Sequence, residues 1–396
     1  MASSRRNKSL YIDTEALSTL ALVKSGLISP VEKLMNKEEA KKVDETKVYK
    51  GVPFPFSFIL APKGKKNHQT LLTLEKGETV SLINEGKEVG ELIVEETFEV
   101  DPKQRLQNIY GTSDSSHPGV RNTILRLGQI AVSGEYTVTY PLIEDNMKRI
   151  KSMITKTGAK HIASMMLAAN PLNRAHERMI RETISNTDLL VIFLRKPFTT
   201  EGLRYDIRYN ALNTFADNFL PRNKVLIIPF ENTYIFAGYN ELILDALLAK
   251  NYGCSQLVVG KNHGGLGLYY DKNRLSSVFD CFEDINIEIK TIDEYVYCDT
   301  CKTLVSTQTC PHGQHHHVHY DSESIMRLIQ AGLIPPSILV RKEVSANILA
   351  ALLPDRFKNL QEMYYSLMPG SGLLEQQSEE QFYLKLIELY QTSSLT

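Results

Sequence analysis

Along the chain the apolar positions follow two rhythms in succession. Up to about residue 145 they come in short alternating or β-branched runs such as VPFPFSFILA, ETVSLIN, VGELIVEETFEV and QIAVSGEYTVTYPL, broken by Gly, Pro, Asn and Asp. Alternation with period two marks strands that bury one face, and the breakers mark the turns between them. Two helical patterns, EALSTLALVKSGL and VEKLMNKEEAKKV, come before them. Residues 1–145 therefore predict a β-rich domain with a helical start.

From residue 146 the texture changes to solid apolar strands alternating with helical periods: HIASMMLAA, ERMIRETI, LLVIFL, IRYNALNTFADNFL, KVLIIPF, NELILDALLAKNYG and QLVVG. Strand and helix in alternation predict an α/β domain with a parallel sheet, and such sheets hold ligands at the carboxyl ends of their strands. The turns after Ala169 and Gly260 are the places where chemistry is expected. This domain runs over 146–345, with a cysteine-rich insert at about 295–320, and a helical extension occupies 346–396. A chain of 396 residues is long enough for several units with cores of their own.

Charge and cysteine usage narrow the chemistry. The 45 Lys+Arg and 46 Asp+Glu leave a net charge of -1, so no global field recruits nucleic acid or an anionic membrane, and anion binding must be local. The opening MASSRRNKSLYIDTEA is too polar for a signal peptide, and the longest apolar run, DLLVIFLRK, is far below the ~18 residues of a membrane span. A cytoplasmic protein is expected. Three of the five cysteines fall within residues 298–310, a clustering that favours metal over a secreted disulfide framework.

Four stretches carry candidate chemistry. LAANPLNRAH, residues 167–176, reads as the end of a strand, a turn and a helix start, with Asn170 as the cap and Pro171 at the first helical position. The free N–H groups of such a first turn form an anion site, to which Arg174 and His176 add donors; the plainer reading is an ordinary strand-to-helix turn. VVGKNHGGLGLYYDKN, residues 258–273, ends a strand at Gly260, and its glycines let backbone approach a ligand while Lys261 and His263 supply donors. It matches neither a dinucleotide fingerprint nor a phosphate-binding loop, and a ligand-free glycine turn is the alternative. YCDTCKTLVSTQTCPHGQHHHVH places Cys298, Cys301 and Cys310 beside His312, His315, His316, His317 and His319, any of which could complete a tetrahedral zinc site. We place His316 in that fourth position; a full Cys3His set is structural, because it leaves no open coordination site. YGTSDSSHPGVRN, residues 110–122, could bring Asp114 and Arg121 to a substrate but reads more simply as a structural turn.

Over roughly residues 8–345 the chain resembles the ATP sulfurylase (sulfate adenylyltransferase) family in its bacterial zinc-containing form. SGLISPVEKLMNKEEA and YGTSDSSHPGV are similar to that family's PUA-like first domain. AKNYGCSQLVVGKNHGGLGLYYD looks like its GRDHAG segment, and YCDTCKTLVSTQTCPHGQHHHVH like its cysteine insert. The resemblance implies a PUA-like domain followed by a nucleotidyltransferase domain, structural zinc, magnesium bound with ATP, and a homo-oligomer. It also implies transfer of the adenylyl group of ATP to sulfate, with release of pyrophosphate. Asn170, Arg174 and His176 would then be catalytic, Pro171, Gly260, His263, Gly264 and Gly265 would hold the nucleotide, and Lys261 would meet the acceptor anion.

Against the family pattern several positions differ. Where the family has Gln, any residue and Arg before Asn-Pro, this chain has Leu167, Ala168 and Ala169, and the first histidine of its HxxH motif is Asn173. Lys261 replaces the GRDHAG arginine, Gly264 replaces its alanine, and DSES at 321–324 stands in place of a later SGT-type motif. Hydrogen bonds to a charged group contribute roughly 1.5–3 kcal/mol each, so losing both Gln and Arg costs a sulfate site about 3–5 kcal/mol. The sequence thus carries three expectations: a weakened sulfate adenylyltransferase, a nucleotidyltransferase for a different small acceptor, or a non-catalytic zinc-stapled scaffold.

Overall fold

A computed structural model of the chain describes residues 8–195, 202–230, 240–260, 283–368, 372 and 374–390. Its contacts divide it into two compact units, residues 1–166 with 230–290 and residues 167–229 with 291–396.

The first unit begins with β1 (Lys8–Tyr11), α1 (Thr14–Lys24), α2 (Lys37–Thr46), β2 (Leu60–Pro62), α3 (Lys65–Leu72), β3 (Thr79–Asn84) and β4 (Lys87–Glu99). There follow α4 (Pro102–Tyr110), α5 (Pro118–Ile124) and β5 (Leu127–Val138). The strands form one sheet in the order β1-β3-β4-β5-β2, with β1 parallel to β3 and the other pairs antiparallel. The β3–β4 hairpin turns on Glu85 (φ 48°) and Gly86 (φ 79°), two successive left-handed residues whose twist matches that of the strands. Asp13 caps α1 by accepting from the Ala16 N–H, and Leu17, Leu20, Leu22 and Val23 of that helix are buried. The expected β-rich domain with a helical start is what the chain builds.

Next come α6 (Pro141–Thr157), β6 (Ile162–Leu167), α7 (Arg174–Ser185), β7 (Leu189–Arg195), α8 (Tyr205–Phe219), β8 (Val225–Phe230), α9 (Glu241–Asn251) and β9 (Gln256–Gly260). Strand and helix alternate as the sequence predicts. Within the first unit β6 and β9 pair in parallel, Ala163 opposite Gln256 and Met165 opposite Val258. All six residues of β6 are buried, as are Leu189–Leu194 of β7. Unbroken apolar strands of this kind belong to sheets covered on both faces.

The second unit continues with a three-stranded antiparallel sheet made of β10 (Tyr295–Cys298), β11 (Thr303–Ser306) and β12 (His317–Val318), in the order β11-β10-β12. The helices α10 (Ser322–Gln330), α11 (Lys342–Leu352), α12 (Arg356–Leu367) and α13 (Glu379–Tyr390) close the chain, and α11 packs against both α8 and α13. No helix among the described residues is long and apolar enough to cross a membrane.

Candidate functional site

The turn after β6 is built differently from the sequence expectation. The helix starts at Arg174 rather than at Pro171, and its cap is Asn173 rather than Asn170. Asn173 Oδ1 accepts from the His176 N–H at 3.1 Å, while His176 Nδ1 accepts from the Asn173 N–H at 3.2 Å. This is a capping box in which an imidazole stands where Glu or Gln usually does. A capping asparagine three residues ahead of an acceptor side chain was the available signal, and Asn170-Pro171 drew attention from it.

Asn170 and Pro171 instead form the connection, joined by a cis peptide bond. Asn170 Oδ1 accepts from the Leu203 N–H at 2.8 Å. Its amide lies so close to Gly202 (φ 144°) that a Cβ there would come within 2.2 Å of it, which only glycine avoids. The buried Arg208 fastens the same place, donating from Nη1 to the carbonyls of Ala168 (2.6 Å) and Arg195 (2.7 Å) and from Nε to that of Leu203 (3.2 Å). Ala169 takes a left-handed φ of 48° and is buried, as is Leu167. Buried apolar side chains therefore stand at the two positions where the family pattern described above has Gln and Arg.

Most donors of the first turn of α7 are already used. The Arg174 N–H donates to the Leu339 carbonyl and its Nε to the Ser337 carbonyl, each at 2.9 Å, and Nη1 meets Glu177 at 3.1 Å. Glu177 is only 4% exposed and also receives Arg341 Nη2 at 2.8 Å, while the Arg341 guanidinium lies 3.9 Å from the centre of the Phe219 ring. Two arginines thus share one buried carboxylate. Burial pushes the His176 imidazole down to about 4, so the ring is neutral at physiological pH, with Nδ1 accepting and the proton on Nε2. Asn173 Nδ2, Arg174 Nη2 and His176 Nε2 are the side-chain donors of this turn with no hydrogen-bond partner among the described residues. The expectation of an open cradle of N–H groups is corrected accordingly: the partners at 337–341 lie far away in sequence, where local pattern does not reach.

On the other turn, Gly260 closes β9. Lys261, His263, Gly264 and Gly265 lie outside the described residues. In the first unit His117 caps α5, its Nδ1 accepting from the N–H groups of Gly119 (3.1 Å) and Val120 (3.4 Å), and burial lowers its pKa. The His-Pro-Gly run is the structural turn of the simpler reading.

The cysteine cluster converges on one point. Cys298, at the end of β10, accepts from the Cys301 N–H at 3.4 Å, which folds the C-x-x-C segment into a knuckle. Cys301 and Cys310 sulfurs stand 3.9 Å apart, and His312 Nδ1 is 3.4, 3.2 and 3.5 Å from the sulfurs of Cys298, Cys301 and Cys310. Tetrahedral zinc with bonds of about 2.3 Å to sulfur and 2.0–2.1 Å to nitrogen puts sulfurs about 3.8 Å apart and sulfur about 3.5 Å from nitrogen. The donor set fits. The fourth ligand position belongs to His312 and not to His316, whose Nδ1 is 2.7 Å from Asp299 Oδ1. The short Cys-Pro-His spacing of 310–312 makes a second knuckle and could have singled out His312. DSES at 321–324 starts α10, with Asp321 as its cap.

A PUA-like domain profile matches residues 1–140, and the ATP-sulfurylase profile matches residues 143–351. With the alternating α/β elements and the Cys3His cluster, these define a PUA-like domain followed by a nucleotidyltransferase-like domain. The chain belongs to the ATP-sulfurylase family. The sulfate adenylyltransferase of Chloroflexus aurantiacus is 29% identical over 352 residues, covering 86% of this chain and 90% of that protein. That of Halothermothrix orenii is 27% identical over 349 residues, covering 85% and 90%. Among solved structures, the hexameric APS kinase from Thiobacillus denitrificans superposes with a TM-score of 0.66 at 19% identity, over 89% of this chain and 64% of that one, a likeness of fold.

Proposed function

We propose that the chain is a nucleotidyltransferase of the sulfate adenylyltransferase type, which binds ATP with magnesium and transfers the adenylyl group to sulfate, releasing pyrophosphate. The observation that carries this reading is the similarity to sulfate adenylyltransferases along 86% of the chain. In this reading Arg174 Nη2 and His176 Nε2 donate to the phosphates, and Asn170 sets the turn that presents them. Pro171, Gly260, His263, Gly264 and Gly265 complete the nucleotide side, and Lys261 meets sulfate. Zinc at Cys298, Cys301, Cys310 and His312 holds the insert. Bringing two anions together rests on positioning and charge neutralisation, and with Leu167 and Ala169 in the wall the sulfate affinity falls by a hundredfold to several thousandfold, from about 3–5 kcal/mol of lost hydrogen bonding.

The buried apolar wall at Leu167 and Ala169 favours, as a second reading, adenylyl transfer to a less anionic acceptor. The internal commitment of Arg174 to Glu177 is what supports a binding scaffold without catalysis. The purified chain with ATP, magnesium and rising sulfate separates the three. Pyrophosphate release that climbs without saturating at millimolar sulfate is expected. ATP binding by calorimetry without sulfate-dependent release moves the assignment to another acceptor, and no ATP binding moves it to a scaffold.

A further inference from the structure

The first unit contains a partly open cavity of about 430 Å³ that no step of the adenylyl-transfer reading uses. Its wall is made by α1, the segment 54–63 and the start of β5, and three phenylalanines, Phe54, Phe56 and Phe58, face it along one side. An apolar cavity of about 150 Å³ stays dry and takes up benzene or xenon. This one is nearly three times larger and falls within the range of small-molecule sites, about 300–1,000 Å³.

The polar groups of the wall say what kind of molecule fits. Arg105 is buried and donates from Nη1 to Ser57 Oγ and from Nη2 to the Ser57 carbonyl, both at 2.7 Å, with Asp44 at 3.8 Å. Asn67 donates to the carbonyls of Tyr11 and Lys63, each at 2.9 Å, and accepts from the Tyr11 N–H at 2.8 Å. Thr123 shares its hydroxyl with Tyr110 at 2.6 Å. At the rim Arg126 is closed on Asp13 at 2.6 Å and on Glu15, beside Leu125, which is 71% exposed. The remaining cation of the wall, Lys63, is exposed and donates to the Ile124 carbonyl at 2.7 Å. A charged headgroup buried against the apolar side would lose its water while every cation of the wall is already engaged, which is unfavourable.

We infer that this cavity is a binding site for a neutral, hydrocarbon-rich small molecule, independent of the nucleotide site. Protein stripped on a hydrophobic resin tests it with the neutral dye N-phenyl-1-naphthylamine. The native chain takes up the dye saturably, and 1-decanol displaces it where decanoate does not. Ala16→Leu, on the cavity face of α1, and Ala61→Leu, on β2, each fill the space. The expected result is at least a tenfold loss of dye affinity together with a Tm raised by about 2–4 °C, because the added side chain fills a void. If Ala61→Leu does not fold, Ala16→Leu decides alone. Absence of dye uptake by the native chain, unchanged uptake in a folded filling variant, or a lowered Tm in Ala16→Leu overturns the inference. Equal displacement by decanoate overturns the neutral class.

Discussion

The turn at 170–177 and the cluster at 298–312 both entered as polar residues gathered in a short stretch, and they resolve in opposite ways. In the cluster, three sulfurs and one imidazole nitrogen lie at the mutual distances that a shared tetrahedral metal would set. In the turn, arginine, histidine and asparagine are bound into the protein: Asn173 and His176 cap each other, and Arg174 shares Glu177 with Arg341. Convergence of four ligand atoms on one point marks a candidate site. A set of satisfied groups marks a scaffold for a site, and what that scaffold presents is only the few donors left over.

The comparison breaks first at the cluster, where the largest effect is expected. Cys301→Ser removes one of four ligands and lowers metal content from one zinc per chain to nearly none, read by elemental analysis. The amides of β10–β12 then lose their hydrogen-exchange protection, because structural zinc supplies folding energy on the order of 10 kcal/mol in isolated small motifs. The same loss from His316→Ala, with His312→Ala retaining zinc, would reverse the ligand assignment.

At the turn, Glu177→Ala leaves Arg174 and Arg341 facing each other without their buried carboxylate. Breaking a buried pair from one side costs about 3–5 kcal/mol, measured by urea unfolding. A loss below about 1 kcal/mol would mean that the pair is a surface feature.

Next comes pH. The His176 pKa is lowered from 6.5 to about 4 in the folded chain, so between these values the unfolded state binds more protons and stability falls as pH falls. The contribution is fully present above 6.5 and gone below about 4, and it reaches up to about 3 kcal/mol. His176→Gln keeps an acceptor for the cap and abolishes that dependence; a variant with the native pH profile would contradict the half-buried neutral imidazole. The smallest effect is at the cap itself, where Asn173→Ala should cost about 0.5–2 kcal/mol in urea and Asn173→Asp much less.

The legibility of the two regions follows from the range of their interactions. The knuckle of Cys298 and Cys301 is local, and so the metal set was readable except for the choice among five histidines, which depends on how the segment after Cys310 folds back. The alternating strands and helices were readable because burial on both faces leaves an unbroken apolar run in β6 and β7. The start of α7 lies three residues beyond the expected one because Asn170-Pro171 mimics a cap and first turn, whereas Asn170 bonds to Leu203. Glu177, Arg208 and Arg341 were invisible as a group, since their partners come from separate elements.

We propose that an adenylyl-transfer scaffold persists while its affinity for sulfate is weakened at Leu167 and Ala169. It is tested most directly by measuring pyrophosphate release against sulfate concentration for the native chain and for the Leu167→Gln/Ala169→Arg double variant, at fixed ATP and magnesium. Sulfate-dependent release is expected in both, with the half-saturating sulfate at least tenfold lower in the double variant. A folded, ATP-binding double variant whose release is no more sulfate-dependent than a blank would contradict it.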